Sequence, residues 1–225
     1  HLIEDGAFIR CTNLDCPSRL ERSILYWCRN LGMDGIGEKL AEQLCSAGLV
    51  RSLGDLYRLE NRRDELISLD RMAEKSASNI LEELRSTRSM TLSTFISALG
   101  LPRIGPEIAT LVCSEVRTLE EILAMTEDIG TSIDRLVSID RIGETVARLL
   151  LDGISERKES ILDLYQKVDI IQEESKVQEG KLSGSSFCIT GTLSRPRKEI
   201  SLSIKSEGGK VASSVSGNLD FLVAG

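Results

Sequence analysis

No apolar run in this sequence approaches the roughly 20 residues needed to cross a bilayer, and no charged-then-apolar leader heads it. Neither membrane insertion nor export is indicated, so a cytoplasmic location and no membrane partner are expected. Basic charge is in deficit: 28 Lys and Arg stand against 35 Asp and Glu, a formal charge of -7. That weighs against a uniformly basic nucleic-acid binder, and it predicts modest, strongly salt-sensitive affinity for any polyanion. The single histidine is His1, which would reach a metal only by accident of its position. Six cysteines are present, but only Cys11 and Cys16 lie close together, which favours reduced thiols over a disulfide framework. The first residue is not methionine, so the 225 residues are expected to be a piece of something longer. The remainder, 41 % hydrophobic and 28 % charged, is that of a soluble globular chain with room for more than one domain.

What the sequence has in quantity is repetition. The stretch Met33-Asp-Gly-Ile-Gly-Glu-Lys-Leu-Ala-Glu-Gln-Leu44 recurs three more times, with Gly37 matched by Ala73, Gly105 and Gly143 at spacings of 36, 32 and 38 residues. Four residues after each comes an alanine: Ala41, Ala77, Ala109, Ala147. The residue before each is apolar (Ile36, Met72, Ile104, Ile142), as are those four before (Met33, Leu69, Leu101, Ile139) and seven after (Leu44, Ile80, Val112, Leu150). Periods of this length mark an array of one supersecondary unit. Here the unit is a helix, a tight Gly-containing hairpin and a second helix.

The chemistry of that unit points at phosphate. Glycine tolerates positive φ and close backbone approach, and it stands just where the next helix begins. A helix N-terminus with unspent amides is an anion site. The small alanine lets the two helices pack tightly. Arg71, Arg103 and Arg141 stand two residues before the hairpin position, and Lys39 and Lys75 two after it. A purely structural helical hairpin, whose glycine only permits the turn, is the bland alternative; four copies in register weigh against it. The second copy, Arg71-Met72-Ala73, lacks the glycine and reads as a scaffold.

Along the chain, Arg10-Cys-Thr-Asn-Leu-Asp-Cys-Pro17 places Cys11 and Cys16 in a polar turn, half of a tetrahedral zinc site at most. Cys28, Cys45 and Cys113 read as small core residues. Helices are expected over 20–31, from Ser52 as a cap, and through each repeat, with Pro106 in a first turn where it costs no hydrogen bond. Residues 168–182 read as an acidic linker. Beyond it the period becomes that of strands: 186–190, a helix over 197–207, then strands at 210–212 and 220–224. These are the opening elements of an α/β module, though roughly 40 residues are fewer than such a fold needs to bury a core. The fold class expected is mainly α, a tandem helix-hairpin-helix domain followed by a partial α/β module.

In that order the motifs resemble the C-terminal half of bacterial NAD-dependent DNA ligase. Cys11 and Cys16 look like the second half of that family's four-cysteine zinc finger, Met33 to Lys39 like its first hairpin, and Phe187-Cys-Ile-Thr-Gly-Thr-Leu193 with Gly208-Gly-Lys-Val211 like the opening of its BRCT domain. The resemblance implies four segments: residues 1–30, a partial zinc finger and connecting helix; 31–167, a helix-hairpin-helix domain with motifs near 33–44, 69–81, 101–113 and 139–151; 168–182, a linker; and 183–225, the start of a BRCT domain. It implies duplex nicked DNA and the rest of the ligase as partners, zinc in the parent protein, and NAD used by a catalytic domain. The family adenylates a lysine in Lys-x-Asp-Gly, and no lysine here is followed by x-Asp-Gly. The chain is therefore expected to hold DNA, in replication and repair, and not to ligate alone. The residues implied are Gly35, Ile36, Gly37, Lys39, Arg71, Arg103, Gly105, Arg141 and Gly143, with Thr190 and Thr192 as possible phosphate ligands. A freestanding hairpin module of another repair protein, or a BRCT-type protein adaptor, are the competing readings.

Overall fold

The fold was analysed in a computed structural model, which describes residues 2–5, 8–11, 16–172, 181–182, 184–191, 197–212 and 219–224. The chain divides into two compact units, 1–172 and 173–225.

Unit one opens with an antiparallel hairpin of strands β1 (Leu2–Asp5) and β2 (Phe8–Cys11). Helix α1 (Pro17–Asn30) begins with proline at its first position and ends at Gly32 in the left-handed region, φ 69°. It lies three residues further toward the N-terminus than apolar periodicity alone indicates. Helix α2 (Glu38–Ser46) packs on α1 and completes the first hairpin. A short α3 (Leu53–Leu56) and a 3-10 turn at Leu59–Arg62 lead to α4 (Arg63–Ile67), which pairs with α5 (Glu74–Ser86) as the second. After β3 (Ser89–Thr91), α6 (Leu92–Ala98) and α7 (Pro106–Glu115) make the third. Helix α8 (Leu119–Met125) precedes the fourth, α9 (Ile129–Val137) with α10 (Glu144–Glu156), and α11 (Lys158–Tyr165) follows. Strand β4 (Asp169–Ile171) then returns to lie parallel to β3, Met90 opposite Ile170. Residues 169–171, assigned to a linker on composition, are thus a strand. Three residues of apolar-to-acidic transition carry no strand signal of their own; a partner 80 residues earlier supplies it.

The repeat positions build the core. All four alanines are fully buried, as are Leu44 and, within a few per cent, Ile80, Val112 and Leu150. An alanine at that point lets each second helix approach its partner closely, which a larger side chain would prevent. Trp27, wholly buried, stands edge-on to Tyr57 and Phe95, and Phe95 edge-on to Tyr165, which ties α1, α3, α6 and α11 together. The indole N–H donates to the Tyr57 hydroxyl at 3.1 Å, so no polar atom of the ring is left unsatisfied.

Unit two contains β5 (Ser186–Thr190), α12 (Arg197–Ser206), β6 (Lys210–Ala212) and β7 (Phe221–Ala224). The sheet is parallel, in the order β6-β5-β7. Phe187 and Cys188 on the central strand are buried, with Ile204 of α12 over them. Gly208, at φ 83°, makes the turn out of α12, and Gly209 sits where a Cβ would strike Ile204 and Phe187. The described elements are those expected for the α/β module, and the fold is mainly α.

Candidate nucleic-acid interface

Each second helix of a hairpin starts without a side-chain cap. Gly37, Ala73, Gly105 and Gly143 are the N-caps, all extended (φ -95°, -92°, -89° and -88°), and none accepts a side-chain bond. The first α-type bonds come from Ala41, Ala77, Ala109 and Ala147, each back to its own cap carbonyl at 2.9–3.0 Å. In α10 the Val146 amide is also spent, on the Gly143 carbonyl at 3.0 Å; the other first-turn amides have no intrahelical partner, as helix geometry requires. In α7 one donor fewer is available, because Pro106 is its first residue. Helices α6, α8 and α9 are capped, with Thr91, Thr118 and Asp128 accepting from Thr94, Glu121 and Thr131, whereas α1, α4 and α11 have no side-chain cap either. The uncapped starts of α2, α5, α7 and α10 leave four positive helix ends open to an anion.

The hairpin glycine does not take positive φ. In copies two, three and four the left-handed residue is the arginine two before it: Arg71 at φ 59°, Arg103 at 62° and Arg141 at 68°. The amides of Met72, Ile104 and Ile142 bond back to Leu69, Leu101 and Ile139 at 3.1 Å, closing a tight turn around each arginine. An L-residue there carries roughly 1–2 kcal/mol of strain, so three arginines in that conformation are held by the surrounding fold. All three arginines are exposed at the tips. A Cβ at Gly37, Gly105 or Gly143 would meet nothing within 4 Å. Glycine is therefore not required by neighbours or by φ at these positions. Open space beside unspent amides is what an incoming group would use. Ala73 holds the same backbone as the three glycines, so the second copy keeps the hairpin geometry despite its missing glycine.

Copy one differs. Gly35 occupies the arginine's position without positive φ, and its amide donates to Glu83 on α5 at 2.9 Å. Ile36 is buried, as are Ile104 and Ile142, and these side chains anchor the loops. Lys39, Lys75 and Arg103 are exposed and make no ion pair among the described residues. Among the described residues Arg71 makes only a loose ion pair, with its neighbour Asp70 at 3.7 Å. Arg141 is bonded to Glu107 on α7, which brings the tips of copies three and four together. The acidic residues that open the helices lean on other arginines: Glu74 on Arg63, and Glu144 on Arg148 at 2.9 Å. These carboxylates recur at the first or second helical position and were readable from the repeat. Their partners were not.

The cysteines do not assemble a metal centre in what is described. Cys16 is the half-buried N-cap of α1 and Cys11 ends β2, its side chain outside the described residues. No group of three or more His, Cys, Asp or Glu suited to a metal occurs among the described residues, so the donor set for tetrahedral zinc is not complete there. Burial pushes the Cys28 thiol up to about 12 and that of Cys45 to about 11. Both stay protonated near neutrality, as packed core thiols do. Thr190 closes β5 opposite Ala224 and is exposed, while Thr192 lies outside the described residues. A cavity of about 800 Å³ is lined by Val50 and Arg157, past the C-terminal ends of α2 and α10. It is a helix length from the caps, and Arg157 bonds there to the carbonyls of Gly153 and Leu99.

Comparison with known families accounts for the repeat. The SAM-like helix-hairpin-helix tandem matches residues 31–86 and 95–157, together more than half of the chain. The chain belongs to the helix-hairpin-helix tandem family. Each match in this tandem helix-hairpin-helix chain covers two copies: one and two form a first pair, three and four a second. The BRCA1 C Terminus (BRCT) domain family matches residues 177–225. Over its whole length the chain is similar to curated proteins named DNA ligase. It is 35 % identical over 228 residues to that of Methylacidiphilum infernorum, covering 98 % of this chain and 32 % of the relative. Against Rubrobacter xylanophilus it is 37 % identical over 227 residues, covering 99 % and 32 %. Against Geobacter metallireducens it is 37 % identical over 229 residues, covering 99 % and 33 %. The chain spans about a third of the length of these relatives. No helix of the described residues is long and apolar enough to cross a membrane.

Proposed function

We propose that this chain is the C-terminal, duplex-holding part of an NAD-dependent DNA ligase acting in replication and repair. The observation that carries the reading is the set of four uncapped helix N-termini, three of them beside a left-handed arginine. Similarity to DNA ligases over the whole chain supports the parentage. In this mechanism, first-turn amides donate to backbone phosphate oxygens, and the glycines at 37, 105 and 143 admit the phosphate to contact distance. Lys39, Arg71, Arg103 and Arg141 add charge alongside, and the Gly35 loop completes the first tip. Nothing in the constellation reads base edges, so binding is independent of sequence and is lost as counter-ions are restored. The hairpins would close the parent enzyme around nicked duplex DNA. Adenylation from NAD and sealing belong to a domain elsewhere in the parent, so the chain alone is inactive. Cys11 and Cys16 would supply two of four zinc ligands in that longer protein, and Thr190 and Thr192 a phosphate contact in the BRCT module.

Fluorescence anisotropy with labelled nicked and intact duplexes tests this. Gly105→Glu or Gly143→Glu should weaken binding uniformly across sequences. Unchanged affinity for both at low salt would sink the reading. The net charge of -7 favours a second reading, a BRCT-type adaptor with structural hairpins. It predicts no measurable duplex binding at all.

A further inference from the structure

The two hairpin pairs are built alike and charged differently. Copies one and two correspond to copies three and four, so Lys39 in the first pair matches Glu107 in the second, each the second residue of its helix. Arg71 likewise matches Arg141, each left-handed and two before a cap. In the first pair the two positions are both cationic, and no carboxylate among the described residues is bonded to either, apart from the loose contact of Arg71 with its neighbour Asp70. Glu83, on the neighbouring helix, is bonded to the Gly35 amide rather than to either cation. In the second pair Glu107 is bonded to Arg141 across the two tips. Both partners are well exposed, at 64 % and 72 %, so the bond is made and broken easily.

We propose that Glu107 is an intramolecular competitor for the DNA backbone: its carboxylate occupies the guanidinium that a phosphate would otherwise take. The proposal rests on the duplex-holding reading above. A carboxylate and a phosphate offer arginine the same paired oxygens, so one substitutes for the other without rearranging the tip. The first pair is then the constitutive grip, with Lys39 and Arg71 ready. The second pair closes on DNA only by displacing Glu107, and it reopens when Glu107 returns. The consequence is a limit on affinity placed in one half of the array, which favours release of the duplex. The ligand is the same polyanion at both pairs; only the cost of engaging it differs.

Four variants of the full 225-residue chain, read by anisotropy against one labelled duplex over a salt series, test this: Glu107→Gln, Arg141→Gln, the two together, and Lys39→Gln with Arg71→Gln. Thermal melts establish that each is folded. Glu107→Gln is expected to tighten binding about 3- to 10-fold at low salt, and to steepen the slope of log K against log salt by about one, the signature of one more phosphate contact. Arg141→Gln alone should weaken binding about 2- to 5-fold, since a cation is lost and Glu107 is left unpaired, and adding Glu107→Gln to it should bring no gain over Arg141→Gln by itself. Binding by Glu107→Gln that is unchanged or weaker, or a gain that survives loss of Arg141, overturns the proposal. If the Lys39 and Arg71 double variant binds as tightly as the parent, the duplex-holding reading has failed instead. If that variant is weak while Glu107→Gln is neutral, only the competitor role has failed.

Discussion

Three arginines sit in a conformation that costs an L-residue energy, and three glycines sit in one that any residue adopts. The two substitution series this implies both trade binding for stability, for different reasons. At Gly105 or Gly143, alanine meets open space and adopts a backbone that Ala73 already holds. Stability should hold or rise by up to about 1 kcal/mol, because the unfolded chain loses freedom. Under the proposed phosphate grip duplex affinity should fall, since the methyl would stand where the phosphate enters. Arg103→Gly should relieve strain and stabilise by up to about 1 kcal/mol while weakening duplex binding several-fold. Urea unfolding and anisotropy on the same preparations check both. A glycine at 103 that destabilises would mean the left-handed turn is not strained.

The second helices of the hairpins depend on packing more than on caps. Ala41, Ala77, Ala109 and Ala147 are fully buried, so Ala147→Leu should cost about 1–3 kcal/mol by overpacking, seen as a lower unfolding midpoint. Helix α3 uses the opposite strategy. Asp55 accepts the amides of Arg51 and Ser52 at 2.9 and 3.0 Å and pairs with Arg58. Burial pushes its carboxyl up, but the amides and the guanidinium outweigh that and hold it below the usual carboxylate range. A depressed folded value contributes stability above the unfolded pKa, roughly 4, and the contribution is lost as pH falls through the folded value. Asp55→Asn should therefore cost about 1 kcal/mol at neutral pH and flatten the acid limb of the stability profile. Denaturant midpoints from pH 7 downward would reveal an unchanged limb if Asp55 plays no part.

At the scale of the molecule, all four hairpins lie in the unit ending at Gln172. A chain shortened to that residue should bind duplex DNA within twofold of the full one. Shortening it to Val168 removes β4 from β3 and should lower the melting temperature. The division of labour between sequence and fold follows from range. The four-fold repeat, the buried alanines, the starts of the hairpins' second helices and the change of period after residue 180 are local patterns, and periodicity and spacing sufficed for them. So did the presence of basic residues at fixed offsets from each cap. Which residue bears the positive φ was not readable, because glycine is the commoner occupant and only the closed turn shows that arginine holds it. Nor was the pairing of Glu107 with Arg141, 34 residues apart, or of β3 with β4. Those are contacts between segments distant in the chain. Their energies depend on how the helices pack, and no window of sequence contains both partners.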